Sequence, residues 1–393
     1  MISSRVKLIA PSPIRKLVPY ANEAKKKGIK IYHLNIGQPD IRTPAPFWDG
    51  IKYYKEEVLG YGPSDGFFFF REAVAEYYNS FGANVEPYNV FVTTGGSEAI
   101  LFIYLILGDI GDEFLIPEPS YANYITLGAM AQIKLIPIPT SVENGFHLPK
   151  AEKIEPLITP KTRGMIICTP NNPTGTVYTK EEMELIAGIA KKHKLFVISD
   201  EVYREFLFDS RHHISIFNIP EMEEYAIVID SISKRFSACG ARIGFAVTKN
   251  RQVLEALMLC GMSRLCPPTI EQIGALQAFK KMDEFIPQMI KEYKRRRDVV
   301  YEEINKIPGS FACLPEGAFY VTCRLPVPDV EEFAKWMLTE FNFEGKTTMI
   351  APAEGFYLTP GKGKDEVRIA YVIKEEELRD AMQILKKGIE KFR

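Results

Sequence analysis

Seven short apolar runs recur up to residue 247: 90-VFVTT-94, 113-EFLIP-117, 133-IKLIPI-138, 164-GMIIC-168, 195-LFVIS-199, 226-AIVID-230 and 242-RIGFAV-247. Each is close to continuous in its apolar content, the mark of a strand covered on both faces. Helical periods separate several of them, as in 180-KEEMELIAGIAKKH-193. Strands alternating with helices predict an α/β fold with a mostly parallel sheet between helices. Residues 14 to 28 predict a helix with basic residues outward and a stop at Gly28, and 31-IYHLNIGQPDIRTP-44 reads as a strand that then breaks. The run 99-AILFIYLIL-107 is about half the length a bilayer span needs and predicts a buried helix. The four phenylalanines 67-FFFF-70 read as packing at a helix start.

From about residue 285 the pattern changes. A long charged helix, 288-QMIKEYKRRRDVVYEEINK-306, leads to alternating strands, 318-AFYVTCRL-325 and 366-EVRIAYV-372, and a final helix. The expected division is an arm and part of a small domain over 1–45, a large domain over 46–284 and a smaller α+β domain over 285–393.

Composition narrows the function. The 393 residues are 46% hydrophobic and 25% charged, with a formal net charge of -1, so nothing draws the whole chain to nucleic acid or an anionic membrane. The six cysteines show no C-x-x-C spacing, which speaks for reduced thiols and against a metal site. The opening MISSRVKLIAPSP has no apolar core followed by a cleavage site, and the expected location is the cytoplasm.

The chemistry collects after the strands, where ligands of parallel sheets bind. In 94-TGGSEAI-100 the glycines Gly95 and Gly96 open a helix, a cradle for an anion as well as an ordinary turn. In 169-TPNNPTG-175, Asn172 is held extended by Pro173. Asp200, in 199-SDEVYREF-206, reads as a helix cap or as a buried carboxylate awaiting a cation, with Tyr203 three residues on. In 231-SISKRFSACGARIG-244, Lys234 stands among Ser231, Ser233 and Arg242. Two hydroxyls and a guanidinium suit a phosphate. A lysine near cations and partly desolvated becomes a nucleophile toward carbonyls. One ligand offers a phosphate for Gly96, Ser97, Ser231, Ser233 and Arg242, an aldehyde for Lys234 and a ring nitrogen for Asp200. That ligand is pyridoxal 5'-phosphate.

With 37-GQPD-40, 61-YGPSDG-66, 71-REA-73, 118-EPSYANY-124, 171-NNPTG-175, 315-PEGAFY-320 and 367-VRIAYV-372, these segments resemble, in order and spacing, the fold type I pyridoxal-phosphate aminotransferases of the aspartate aminotransferase superfamily. The resemblance covers nearly the whole chain. It implies a mostly parallel seven-stranded sheet and a homodimer with shared active sites. By this resemblance Lys234 carries the cofactor as a Schiff base and shuttles a proton. Asp200 pairs with the pyridinium, Tyr203 and Asn172 bond the phenolic oxygen, and Tyr121 stacks on the ring. The phosphate falls to Gly96, Ser97, Glu98, Ser231, Ser233 and Arg242, joined by Tyr61 from the partner subunit. Arg368 and Gly37 receive the substrate carboxylate. Read without the family, Arg368 is an outward-facing charge and Tyr121 a core aromatic.

The implied activity is transfer of an amino group from an L-amino acid to a 2-oxo acid, with 2-oxoglutarate as acceptor and aspartate as first candidate donor. Ser97 stands where some aspartate-specific relatives place a lysine, and the arginine other aspartate enzymes use for the distal carboxylate has no clear match; Arg264 and Arg15 are the candidates. A C–S β-lyase is the alternative with the same cofactor. A ligand-sensing regulator is the remote one, and no helix-turn-helix or basic tract precedes the matched segments.

Overall fold

The computed structural model describes residues 2–9 and 11–392. Its strands are β1 (Lys30–His33), β2 (Val90–Thr93), β3 (Glu113–Glu118), β4 (Lys134–Pro139), β5 (Thr162–Cys168), β6 (Phe196–Asp200), β7 (Ala226–Ser231), β8 (Gly244–Thr248), β9 (Tyr320–Arg324), β10 (Lys346–Met349), β11 (Ala351–Pro352) and β12 (Glu366–Ala370). Seven of them form one sheet in the order β2-β8-β7-β6-β5-β3-β4. All neighbours run parallel except β8, which is antiparallel to both β2 and β7.

The apolar runs divide by the two-residue period of a strand. Ile227 and Ile229 enter one core layer and Ala226 and Val228 the other. Both faces are thereby covered by apolar side chains, which is why the sequence shows runs rather than alternation. Helix Lys180–His193 starts on a reciprocal cap: Glu182 N–H donates to Thr179 Oγ1 at 3.3 Å, and Thr179 N–H donates to the Glu182 carboxylate at 2.8 Å. It ends on basic residues with Lys194 in the left-handed region.

Strands β11-β12-β9 make a three-stranded antiparallel sheet, and β1 pairs with β10 in parallel. Helices Ile286–Asn305 and Glu375–Phe392 accompany them. Helix Gly96–Leu107 corrects one expectation. It buries Ala99, Ile100, Ile103 and Tyr104, but Leu105 is 54% exposed, because only one side of this apolar helix meets the core. Phe68 opens helix Phe68–Asn79; Phe70 is buried, whereas Phe68 and Phe69 are partly exposed.

His147 ties the two strand systems together. Its Nδ1 lies 3.0 Å from Glu182 and its Nε2 3.6 Å from Glu316, just ahead of β9. Hydrogen bonds to these carboxylates raise its pKa from 6.5 to about 9, against the opposing effect of burial. Because the folded value is the higher one, the stabilisation is complete below about pH 6.5 and is lost as pH rises through about 9. The melting temperature of His147→Gln should therefore fall below that of the parent at pH 6 and match it by about pH 10. A gap that does not narrow with pH would discount the ion pairs.

Candidate active site

The sheet order brings the chemistry to one edge. β5, β6 and β7 run parallel and end together at Cys168, Asp200 and Ser231. The antiparallel β8 begins at the same edge, with Gly244 opposite both Ser231 and Thr93. A cavity of about 720 Å³ lies there, lined among others by Gly37, Tyr121, Asn172, Asp200, Lys234 and Arg368.

Asp200 closes its inner end and is buried. Tyr124 Oη donates to Asp200 Oδ2 at 2.6 Å, and Val202 N–H donates to Oδ1 at 3.2 Å. Desolvation nevertheless raises the carboxyl from 3.8 to about 6, helped by Asp230 and Glu201 and opposed by those two donors. A buried carboxylate short of a cation is what this geometry holds.

Lys234 sits in the short helix Ile232–Arg235 directly after β7. The half-buried side chain lines the cavity and donates from Nζ to the Gly37 carbonyl at 2.8 Å, with Cys239 Sγ 3.8 Å away. Loss of solvent depresses its pKa first; the Cys239 sulfur opposes, and the Arg368 and Arg242 charges add to the depression. The shift is toward the neutral, nucleophilic amine.

Ser231 and Ser233 Oγ lie 2.7 Å apart, and Ser231 Oγ donates to Ile243 O at 2.9 Å. Arg242 adopts a left-handed φ of +56°, which turns its guanidinium back over the Gly95–Gly96 turn. A Cβ on Gly95 would stand 2.3 Å from Arg242 Nη2, and one on Gly244 would stand 2.5 Å from Gly96 N. Both glycines are thus required for backbone, serines and guanidinium to share one small cradle at the start of helix Gly96–Leu107. Gly96 and Ser97 line the cavity beside it. The set fits a dianionic phosphate.

Arg368, on β12 opposite Thr322 of β9 and Ala351 of β11, is buried, with its guanidinium 4.6 and 5.0 Å from the ring centres of Tyr320 and Phe356. Its Nη1 donates to Asn172 Oδ1 at 3.1 Å and its Nη2 to the Asn35 carbonyl, while Nε has no partner. Burial lowers its pKa from the ordinary arginine value. A buried guanidinium without a counter-charge, opening on a cavity, has the chemistry to receive a carboxylate.

The family model for aminotransferase class I and II matches residues 30–385. The chain belongs to the class I and II aminotransferases, fold type I pyridoxal-phosphate enzymes. This aminotransferase is 34% identical to aromatic-amino-acid aminotransferase 2 of Thermococcus litoralis, over 98% of this chain and 97% of the relative. It is 34% identical to the aspartate aminotransferase of Pyrococcus abyssi, over 98% and 97%. Among solved structures it superposes on the alanine aminotransferase of Pyrococcus furiosus with a TM-score of 0.92 at 31% identity, covering 100% of both chains. It also matches the aspartate aminotransferase of Thermus thermophilus with maleate, with a TM-score of 0.89 at 29% identity and 99% coverage of each.

Three sequence-derived candidates of the aminotransferase stand outside the cavity. The Glu98 carboxylate turns back to accept from Thr94 N–H at 2.8 Å and pairs with Arg264 at 3.4 Å, at the helix start and not along the cavity lining. Arg264 is held there, donating also to the Ser64 and Val92 carbonyls at 3.2 Å, so it does not line its own chain's cavity; Arg15 does. Tyr61 is 82% exposed and borders a separate hollow of about 800 Å³. The charged residues of that hollow, Asp49, Lys55, Glu56 and Lys281, are all exposed. Two residues went unremarked in the sequence although their motifs were seen. They are Tyr124, the donor to Asp200, and Tyr320, which bonds Tyr203 at 2.9 Å. Their only signal was position: Tyr124 one helical turn after Tyr121, and Tyr320 at the start of a strand.

Proposed function

We propose that the chain holds pyridoxal 5'-phosphate at Lys234 and moves the amino group of an L-amino acid to a 2-oxo acid by a ping-pong cycle. 2-Oxoglutarate is the expected acceptor and aspartate the first candidate donor. The observation that carries this reading is the meeting in one cavity of an amine with depressed pKa, a buried carboxylate and a buried guanidinium with a free Nε. Bound there, the cofactor supplies an aldehyde that condenses with amines and a ring that accepts the electron pair left on the α-carbon.

Asp200 favours a protonated ring nitrogen through its negative charge. Gly96, Ser97, Ser231, Ser233 and Arg242 take the phosphate. Tyr121 would lie against the ring, and Asn172 and Tyr203 would donate to the phenolic oxygen. Arg368 receives the α-carboxylate in a two-point contact beside Gly37, which fixes the direction of the Cα–H bond; such orientation removes several kcal/mol from a barrier. Lys234 would hold the aldehyde through its amine and would take up and return the α-proton at Nζ.

Tyr61 is exposed, as are the apolar Trp48, Val58, Leu59, Met262 and Leu265. Exposed apolar side chains of this kind support pairing of two copies, with Tyr61 reaching the partner's phosphate.

Absorbance of the purified, cofactor-loaded protein tests the reading. A visible band that borohydride fixes at Lys234, and that bleaches toward the near ultraviolet with an amino acid, is the expected result. Ammonia and pyruvate released from a cysteine conjugate would instead identify a lyase. Arg15 supports the dicarboxylic assignment, and Arg15→Ala should raise KM for aspartate or glutamate by about 10–100-fold and leave alanine unchanged. An equal change for both substrates would remove Arg15 from the distal site.

A further inference from the structure

Tyr203 and Tyr320 place their hydroxyl oxygens 2.9 Å apart, both side chains buried and both lining the cavity. Burial raises both pKa values, so both hydroxyls keep their protons. Two protons are then available and one bond joins the oxygens. The remaining proton belongs to whichever tyrosine is the acceptor of that bond.

Tyr320 is the fixed partner. A Cβ on Gly37 would stand 1.8 Å from its hydroxyl, so the oxygen fills the space that a side chain at position 37 would claim. The Arg368 guanidinium lies 4.6 Å from the centre of its ring. Phe319 and Tyr203 pack on it at 4.8 and 5.6 Å.

Resting on the proposed cofactor, we infer that Tyr320 is a positioning residue: it donates its hydroxyl proton to Tyr203 and thereby commits the Tyr203 hydroxyl to donate into the cavity, to the phenolic oxygen. The opposite polarity would aim lone pairs of Tyr203 at an oxygen that bears negative charge. A bond received by Tyr203 also polarises its own O–H, and hydrogen bonds in series strengthen one another. Gly37 is thereby assigned a second duty. Its missing side chain admits the Tyr320 hydroxyl, while its carbonyl takes the Lys234 amine.

The readout is the pH midpoint of the visible band of the cofactor-loaded protein, independent of turnover. A donor to the phenolic oxygen favours the deprotonated form and holds the midpoint low. Tyr203→Phe should raise it. Tyr320→Phe, which keeps the ring and its packing, should raise it by a smaller amount, about 0.3–1 pH unit. The double variant should titrate with Tyr203→Phe alone, because Tyr320 acts only through Tyr203. Gly37→Ala, whose methyl takes the place of the Tyr320 hydroxyl, should shift the midpoint in the same direction. An unmoved midpoint in Tyr320→Phe, or a shift that adds in full to that of Tyr203→Phe, overturns the inference while leaving the cofactor assignment intact. A parent protein without a band that borohydride fixes at Lys234 overturns both.

Discussion

Lys234→Ala will lose at least about 10⁴-fold in kcat, and the loaded protein will lack any band that borohydride fixes to the chain. No other lining residue can take over. The other basic side chains at the cavity among the described residues are Arg15, Arg242 and Arg368, and a guanidinium does not replace an amine in forming a link to a carbonyl. Asp200 is buried and occupied by Tyr124 and Val202. The tyrosines Tyr121, Tyr124, Tyr203 and Tyr320 have hydroxyl pKa values raised by burial, which removes them as bases, and Asp230 is paired with Arg235 at 2.7 Å. The Cys239 thiol lies 3.8 Å from the amine but cannot form the cationic imine link that an amine forms. Lys234→Arg separates charge from nucleophilicity: it supplies a positive charge without an amine and should be as inactive as alanine. Turnover within tenfold of the parent in either variant would show that the amine is neither the attachment point nor the proton carrier.

The parallel sheet could be read in the sequence because strands covered on both faces leave uninterrupted apolar runs, from Val90 to Val247. For the same reason Asp200, Ser231 and Lys234 could be placed in advance: each follows such a run, and a parallel sheet collects its strand ends at one edge. Arg368 lay beyond this logic. An arginine in an alternating strand normally faces water, and this one is buried by residues distant in sequence, Asn35, Asn172, Tyr320 and Phe356. Tyr320 and Tyr124 were hidden for a related reason. Their partners, Tyr203 and Asp200, are 117 and 76 residues away, and no local pattern encodes such a hydroxyl contact. Gly96 and Ser97 border the ligand space, whereas the carboxylate of the adjacent Glu98 turns to its own helix start and accepts from the Thr94 N–H.

Asp200→Asn should move activity and stability in opposite directions. The amide keeps the size of the carboxyl but cannot neutralise a ring cation, and removing one partner of a buried charge pair costs about 3–5 kcal/mol, roughly 10²–10⁴-fold in rate. The cofactor-free protein tells the other half. Its Asp200 carboxyl has been raised from 3.8 to about 6 by burial. Below pH 3.8 folded and unfolded chains both hold the proton; between 3.8 and 6 the unfolded chain releases it first, so folding loses stability as pH rises. Above about pH 6 the full penalty remains, on the order of 3 kcal/mol at 1.36 kcal/mol per pH unit. Asparagine carries no such penalty. Denaturant unfolding of the cofactor-free proteins should therefore find Asp200→Asn more stable than the parent at pH 8, with the advantage shrinking toward pH 4. Loading should reverse the order at pH 8, since a ligand that binds the folded chain more tightly stabilises it more. A stability gap constant across that range would mean that Asp200 is not held short of a counter-charge, and the case for a cationic ring beside it would lose its electrostatic basis.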